Sequence, residues 1–279
     1  MSNRYSFEFF PPKTEVGRAK LKDTRSQLAA LNPEFFSVTY GAGGSTRDNT
    51  RDIVLESKNA GLSVAPHLSF GGDEESDILT LLNDYKAAGI DRIVALRGDI
   101  PSGMGATRQV YAKELVEFIR KHTGDHFQLE VAAYPETHPD AKSHQADINF
   151  LKAKLDAGAN SAITQYFFNA DAYFYFLEDC EKAGIDKPIY PGIMPITNFS
   201  NLARFSRNCG AEIPRWLAQK LEGYGDDQQS IIEFGAEFVS ELCHILMEGG
   251  APGIHFYSMN QVEPIKSIAE AVMSSHPAG

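Results

Sequence analysis

A chain of 279 residues with 43% hydrophobic and 23% charged residues has the composition of a globular protein with a large core. Its formal charge of −11, with no Lys/Arg run, argues against a nucleic-acid or membrane-surface binder, and no apolar run reaches the roughly 20 residues that span a bilayer. Met1–Tyr5 leads straight into a strand-like segment without a signal peptide, and the scattered Cys180, Cys209 and Cys243 form no CxxC pair, so a reducing, cytoplasmic location is expected.

In chain order, β-rich segments fall at Ser6–Phe9, Phe35–Val38, Ser63–His67, Arg92–Leu96, Gln128–Ala132, Ser161–Thr164, Ile189–Gly192 and Gly253–Phe256. Between them run amphipathic helices. Ser45-Thr46-Arg47-Asp48 reads as a capping box for the second. Ile78, Leu81, Leu82 and Tyr85 share one helical face, as do Tyr173, Phe176, Leu177 and Cys180. Ile231, Phe234, Phe238, Leu242 and Leu246 extend such a face along a longer helix.

A recurring phrase ends helices and starts strands: a small residue, glycine, then an apolar run. It occurs at Gly61, Gly89, Gly158 and Gly184, with a looser copy at Gly249-Gly250. Glycine accepts the left-handed conformation that stops a helix. Eight strand–helix units without a linker predict a single (β/α)8 TIM barrel over residues 1–279. The stretch from Pro191 to Gly253 is long enough for two helices, one more than the repeat requires. A doubly wound sheet is disfavoured because Phe10-Pro11-Pro12-Lys13, not a glycine-rich turn, follows the first strand.

Barrel chemistry gathers where strands end. Those places carry Glu8, Thr39-Tyr40-Gly41-Ala42-Gly43-Gly44, His67, Arg97-Gly98-Asp99, Tyr134 to His138, Gln165 to Phe168, and His255-Phe256-Tyr257. Glu8, set among phenylalanines, reads either as half of a structural ion pair or as a carboxyl whose pKa is raised for general-acid work; function is favoured. His67 alone reads as a core or rim histidine. His255 and Tyr257 stay ambiguous, and Tyr166, Phe167 and Phe168 read first as packing. The sequence lacks HExxH and HxH, a lysine at a strand end, and a GxSxG elbow. That argues against a metal hydrolase, a Schiff-base aldolase and a serine hydrolase. The remaining inventory suits a large, flat, partly anionic cofactor with proton transfer beside it. A cofactor-free lyase or isomerase acting on a phosphorylated metabolite, and a non-catalytic barrel scaffold, are the alternatives.

Phe7-Glu8-Phe9-Phe10-Pro11-Pro12, Val38-Thr39-Tyr40-Gly41-Ala42, Ala65-Pro66-His67-Leu68, Leu96-Arg97-Gly98-Asp99, Ala132-Ala133-Tyr134-Pro135-Glu136, Ile163-Thr164-Gln165 and His255-Phe256-Tyr257 together resemble the methylenetetrahydrofolate reductase family. The matches run in order along nearly the whole chain and resemble the short bacterial form, without a regulatory domain. The resemblance implies reduction of 5,10-methylenetetrahydrofolate to 5-methyltetrahydrofolate, supplying methyl groups for methionine synthesis. It implies FAD as cofactor and NADH or NADPH as electron donor in a ping-pong cycle. It makes Glu8 the general acid that opens the folate five-membered ring, with Asp99 stabilising the cationic intermediate and tuning the flavin. It places FAD on Thr39, Tyr40, Ala42, His67, Arg97, Gly98, Asp99, Ala112, Tyr134, His138, Ala141, Asp147 and Lys154, with Arg97 and Lys154 near pyrophosphate or ribose. Substrate contacts fall to Gln165, Asn201, Phe205 and Gln261. Asn201 stands where the bacterial pattern can have glutamine, Gln261 where it can have arginine, and Phe150 where a polar residue can touch FAD. No metal is implied. A homo-oligomer is expected, though periodicity does not separate an assembling face from barrel packing.

Overall fold

Alternation along the first strand, β1 (Arg4–Phe9), organises the molecule. Phe7 stacks on Phe36 and Phe256, and Phe9 on Phe36, in the layer between strands and helices. Each such buried ring contributes about 1.5–3 kcal/mol relative to exposure. Arg4, Ser6 and Glu8 alternate with these rings and meet Glu130, His255 and His67 across the barrel interior.

The computed structural model describes residues 3–40, 47–70, 73–97 and 110–277. The remaining strands are β2 (Phe35–Val38), β3 (Val64–Leu68), β4 (Arg92–Ala95), β5 (Gln128–Ala133), β6 (Ser161–Thr164), β7 (Ile189–Tyr190), β8 (Gly192–Ile193) and β9 (Gly253–Tyr257). Their order is β7-β6-β5-β4-β3-β2-β1-β9-β8, and every pair is parallel. β7 and β8 are two halves of the expected seventh strand, parted at Pro191, which has no N–H to give a ladder. The first half pairs with β6 and the second with β9, so the sheet closes on itself as a nearly closed eight-stranded barrel. At the join, the Pro191 carbonyl accepts from His255 N at 3.0 Å.

The helices are α1 (Glu15–Ala29), α2 (Arg47–Asn59), α3 (Glu75–Ala87), α4 (Ala112–Thr123), α5 (His144–Asp156), α6 (Ala170–Lys182), α7 (Phe199–Cys209), α8 (Arg215–Gly223), α9 (Gln228–Glu248) and α10 (Ile265–Ser275). Gly61, Gly89, Gly158, Gly184 and Gly250 all have positive φ, as the repeated phrase requires. Three helices, not two, lie between β8 and β9. Gly210 (φ 76°) stops α7 and Pro214 opens α8, and these breakers divide the stretch once more than expected. The long helix also turns differently from the expectation. Gly235 and Val239 join Ile231, Leu242 and Leu246 on the buried face, while Phe234 and Phe238 lie on its flank. There they meet Tyr224, Trp216 and Phe168. Gly235 is obligatory because a Cβ would sit 2.4 Å from the Ile196 carbonyl oxygen. The capping residues Ser45 and Thr46 lie outside the described residues. Among the described residues, no helix is long and apolar enough to cross a membrane.

Candidate active site

Glu8 stands at the C-terminal end of β1 with its side chain 19% exposed. Its Oε2 lies 3.2 Å from Nε2 of His67 on β3 and 3.6 Å from Nε2 of His255 on β9. Burial pushes the carboxyl up, but the two imidazoles more than offset it and hold it at about 2. This corrects the expectation of a raised pKa. The sequence shows a carboxylate among phenylalanines, and only barrel closure brings two bases to it. Burial in turn pushes the His255 imidazole below its usual range. His67, expected on the cofactor, is thus also a partner of the acid.

The backbone around Glu8 is clamped from β9. The Glu8 carbonyl accepts from Ser258 N at 3.3 Å and Ser258 Oγ at 2.6 Å. Asn260 Nδ2 donates to the Phe10 carbonyl at 2.8 Å, and its Oδ1 accepts from Phe10 N at 3.1 Å. Met259 and Asn260 have φ of 53° and 55°, a conformation that asparagine tolerates better than most residues. The sequence reading missed Ser6, Ser258 and Asn260. A Ser-x-Asn stretch just past a strand was the available turn signal.

The residues assigned to the cofactor divide between two walls. Thr39, just past β2, donates its N–H to the Phe9 carbonyl at 2.9 Å, and Tyr40 follows it. Across the barrel, the loop after β5 folds on itself. His138 N donates to Asp147 Oδ2 at 2.7 Å, Ala141 N to the His138 carbonyl at 2.9 Å, and Tyr134 sits edge-on to His138 at 4.5 Å. Arg97, past β4, reaches Asp140 at 3.0 Å and stays one-third exposed. Lys154 donates to the Ala132 carbonyl at 2.5 Å, and burial lowers its ammonium to about 8. Ala112 opens α4 and is buried. Ala42, Gly98 and Asp99 lie outside the described residues, as do the glycines at 41, 43 and 44.

Two buried polar atoms at this end of the barrel, Ser37 Oγ and Thr39 Oγ1, have no hydrogen-bond partner among the described residues, while Nε2 of His67 and of His255 face Glu8. Buried polar groups are nearly always satisfied, so such orphans fit a polar ligand. The residues present therefore fit a large cofactor with several polar groups.

On the substrate side, Gln165 follows β6, its N–H donating to the Ala133 carbonyl at 2.8 Å and its Oε1 accepting from Tyr166 N at 3.0 Å. It borders a small cavity of about 10 Å³ together with Tyr134, Glu136, Tyr166 and Cys209. Asn201 and Phe205 lie on α7; Arg204 donates to Asn201 Oδ1 at 3.2 Å and sits over the Phe205 ring at 5.3 Å. Gln261 adjoins the Asn260 clamp and donates its N–H to the Ser258 carbonyl at 3.0 Å. Phe150 is 58% exposed on α5. Tyr166, Phe167 and Phe168 are packing residues, all buried, with Phe167 stacked on Tyr173 at 5.7 Å. Tyr257 donates to the Thr164 carbonyl at 2.6 Å, and burial keeps it a neutral phenol.

A family model described as methylenetetrahydrofolate reductase matches residues 1–273. The chain is 44% identical to 5,10-methylenetetrahydrofolate reductase of Escherichia coli K12 over 259 residues, covering 92% of this chain and 86% of that protein. The chain belongs to the methylenetetrahydrofolate reductase family. As a member it is an oxidoreductase that reduces methylenetetrahydrofolate, in a reaction linked in general terms to flavin and nicotinamide. A plant member, methylenetetrahydrofolate reductase (NADH) 1 of Arabidopsis thaliana, is 37% identical over 92% of this chain and 46% of its own length. In three dimensions, a Clostridium thermocellum protein described as binding two copies of 5-methyl-5,6,7,8-tetrahydrofolic acid shares the fold, with a TM-score of 0.69 and 19% identity. That match covers 99% of this chain and 96% of the other.

Proposed function

We propose that the chain converts 5,10-methylenetetrahydrofolate to 5-methyltetrahydrofolate with FAD as cofactor and NADH or NADPH as donor, the donor and folate using one cleft in turn. The observation that carries this reading is Glu8, held between two titratable imidazoles beside orphaned polar atoms at the barrel mouth. Bound FAD supplies reversible hydride acceptance and donation. Thr39, Tyr40, His67 and Arg97 would hold it from one side, and Tyr134, His138, Ala141 and Asp147 from the other, with Ala112 and Lys154 behind. Ala42, Gly98 and Asp99 are assigned to the same cofactor by family pattern.

Glu8 is the proton donor that opens the folate five-membered ring. Its Oε2 faces the imidazoles, which leaves Oε1 outside that contact. A seated pterin excludes water from the exposed part of the carboxyl. Desolvation then raises its proton affinity, which is what an acid needs. Asp99 supplies negative charge for the cationic intermediate, and Gln165, Asn201, Phe205 and Gln261 contact folate. The unbroken family match supports one catalytic unit over 1–279, which we place in the cytoplasm as a homo-oligomer.

An anaerobic titration tests the reading. FAD-loaded protein should bleach with NADH or NADPH and regain its colour with methylenetetrahydrofolate. Glu8→Gln should bleach normally but recover colour about 10²–10⁴-fold more slowly. A protein that takes up no FAD, or a Glu8→Gln variant that reduces folate at the normal rate, overturns it.

A further inference from the structure

Helix α7 carries two of the residues expected on the substrate, Asn201 and Phe205, yet apolar packing holds it thinly. Of its 11 residues Leu202 and Ser206 alone are buried, whereas α10, of the same length, buries Ile265, Ile268, Ala269 and Val272. Little apolar area therefore fixes how α7 is rotated over the barrel mouth. Leu202 and Ser206 lie one turn apart on the inward side. Asn201 and Phe205 have the same spacing one residue earlier, on the adjoining exposed side. Any rotation of the helix swings both of them together.

Hydrogen bonds hold the inward side instead. Tyr166, next to Gln165 past β6, is buried, with its ring 5.7 Å from that of Phe168. Its hydroxyl oxygen lies 3.1 Å from Ser206 Oγ and accepts from the Cys209 thiol at 3.3 Å. Burial, and then the Cys209 contact, push the phenol up, so it keeps a hydrogen to donate. The C-terminal end of α7 is seated on the loop after β5. There Glu136 Oε2 accepts from Glu212 N at 2.8 Å, and a Cβ on Gly210 would come 2.8 Å from Pro139 Cγ. The cavity of about 10 Å³ among Gln165, Glu136, Tyr166 and Cys209 has room for about one water.

Replacing both members of a buried hydrogen-bonded pair by apolar groups of the same shape is nearly neutral for stability. Phenylalanine and alanine would serve here as packing. What the two hydroxyls add is a fixed distance and direction between β6 and one side of α7.

We propose that Tyr166, Ser206 and Cys209 form a latch that sets the rotation of α7, and that they are positioning residues holding Phe205 and Asn201 in register with Gln165 across the substrate cleft. The inference rests on Phe205 and Asn201 contacting folate, as proposed above. The latch touches no reacting atom, so it governs how tightly ligands are held and not the hydride and proton steps.

The test uses the FAD-loaded protein with two readouts. Tyr166→Phe and Ser206→Ala should each raise KM for methylenetetrahydrofolate about three- to tenfold with kcat within about twofold. The double variant should do no more than either single one, because the same bond is lost in all three. The second readout is the thiol of Cys209, the one cysteine of the three that is not buried. An aromatic disulfide reagent should label it about three- to tenfold faster in Tyr166→Phe. In the unmutated protein, saturating 5-methyltetrahydrofolate should slow that labelling, a result that does not depend on any variant folding. Phe205→Ala separates the two claims. An unchanged KM in Phe205→Ala overturns the substrate contact and the inference with it. A raised KM there, with KM and labelling unchanged in Tyr166→Phe and Ser206→Ala, overturns the latch and spares the contact. Additive effects in the double variant, a lowered kcat at constant KM, or labelling indifferent to folate also overturn the latch.

Discussion

At the N-terminal end of the barrel interior, Glu130 is fully buried and takes Arg4 Nη1 at 3.0 Å, Arg92 Nη1 at 2.5 Å and the Ser161 hydroxyl. At the C-terminal end, Glu8 meets two imidazoles across 3.2 and 3.6 Å, with orphaned polar atoms beside it. Both carboxyls are held below their usual range, but by partners of different kinds. Guanidinium groups do not lose their charge at any ordinary pH, whereas imidazoles change state between about pH 5 and 8. The lower cluster is therefore permanently paired, with Arg4 also lying 3.2 Å over the Tyr190 ring. The upper one is paired through imidazoles, a partner type whose charge is not fixed. Phe35 lies between them, under Arg4 and Arg92 on one side and against His255 on the other. The same barrel thus stores stability at one end and keeps adjustable charge at the other.

That contrast can be broken by substitution. Glu130→Ala leaves the buried Arg4 and part-buried Arg92 guanidinium groups with only the exposed Glu34 as acidic partner and should cost about 3–5 kcal/mol in urea unfolding. A loss below about 1 kcal/mol would show that the lower cluster is no anchor. Glu8→Gln should have a smaller, pH-dependent effect. The folded Glu8 carboxyl is held down at about 2 against an ordinary value of 4.5, so its contribution is present above pH 4.5 and lost as pH falls toward 2. Melts of the two proteins should therefore differ fully above about pH 5 and converge near pH 2–3; a constant gap would contradict the assignment. Thr39→Val removes a hydroxyl that has no partner among the described residues, so protein without cofactor should change by less than about 1 kcal/mol. FAD affinity, read by fluorescence titration, should nevertheless fall. Smallest of all, Lys152→Ala breaks an exposed i,i+4 pair with Asp156 and should cost no more than about 0.5 kcal/mol.

Much of this protein is legible in its sequence. Alternation of apolar and polar residues marks strands, and glycine after a small residue marks where helices stop, because these are local consequences of backbone geometry. The eight β-rich segments, the barrel and the family pattern all follow from such signals. Local signals also misled. Phe234 and Phe238 fit the helical period, yet Gly235 takes the buried face because the Ile196 carbonyl approaches too closely for a side chain. The third helix between β8 and β9 was not expected because length alone set the number of helices there, whereas Gly210 and Pro214 end one short helix and open another.

The sequence by itself determined that Glu8 lies near the end of a strand and that the strand faces two ways, and it favoured acid chemistry there. Only the tertiary structure decided the state of that acid. Closure places β9 against β1 and carries His255 and Ser6 beneath Glu8, while β3 brings His67 to its side. Periodicity encodes which face a residue takes, not which distant residue meets it there. Charge state depends on those few ångströms, because burial and a neighbouring base push a carboxyl in opposite directions and distance settles which prevails.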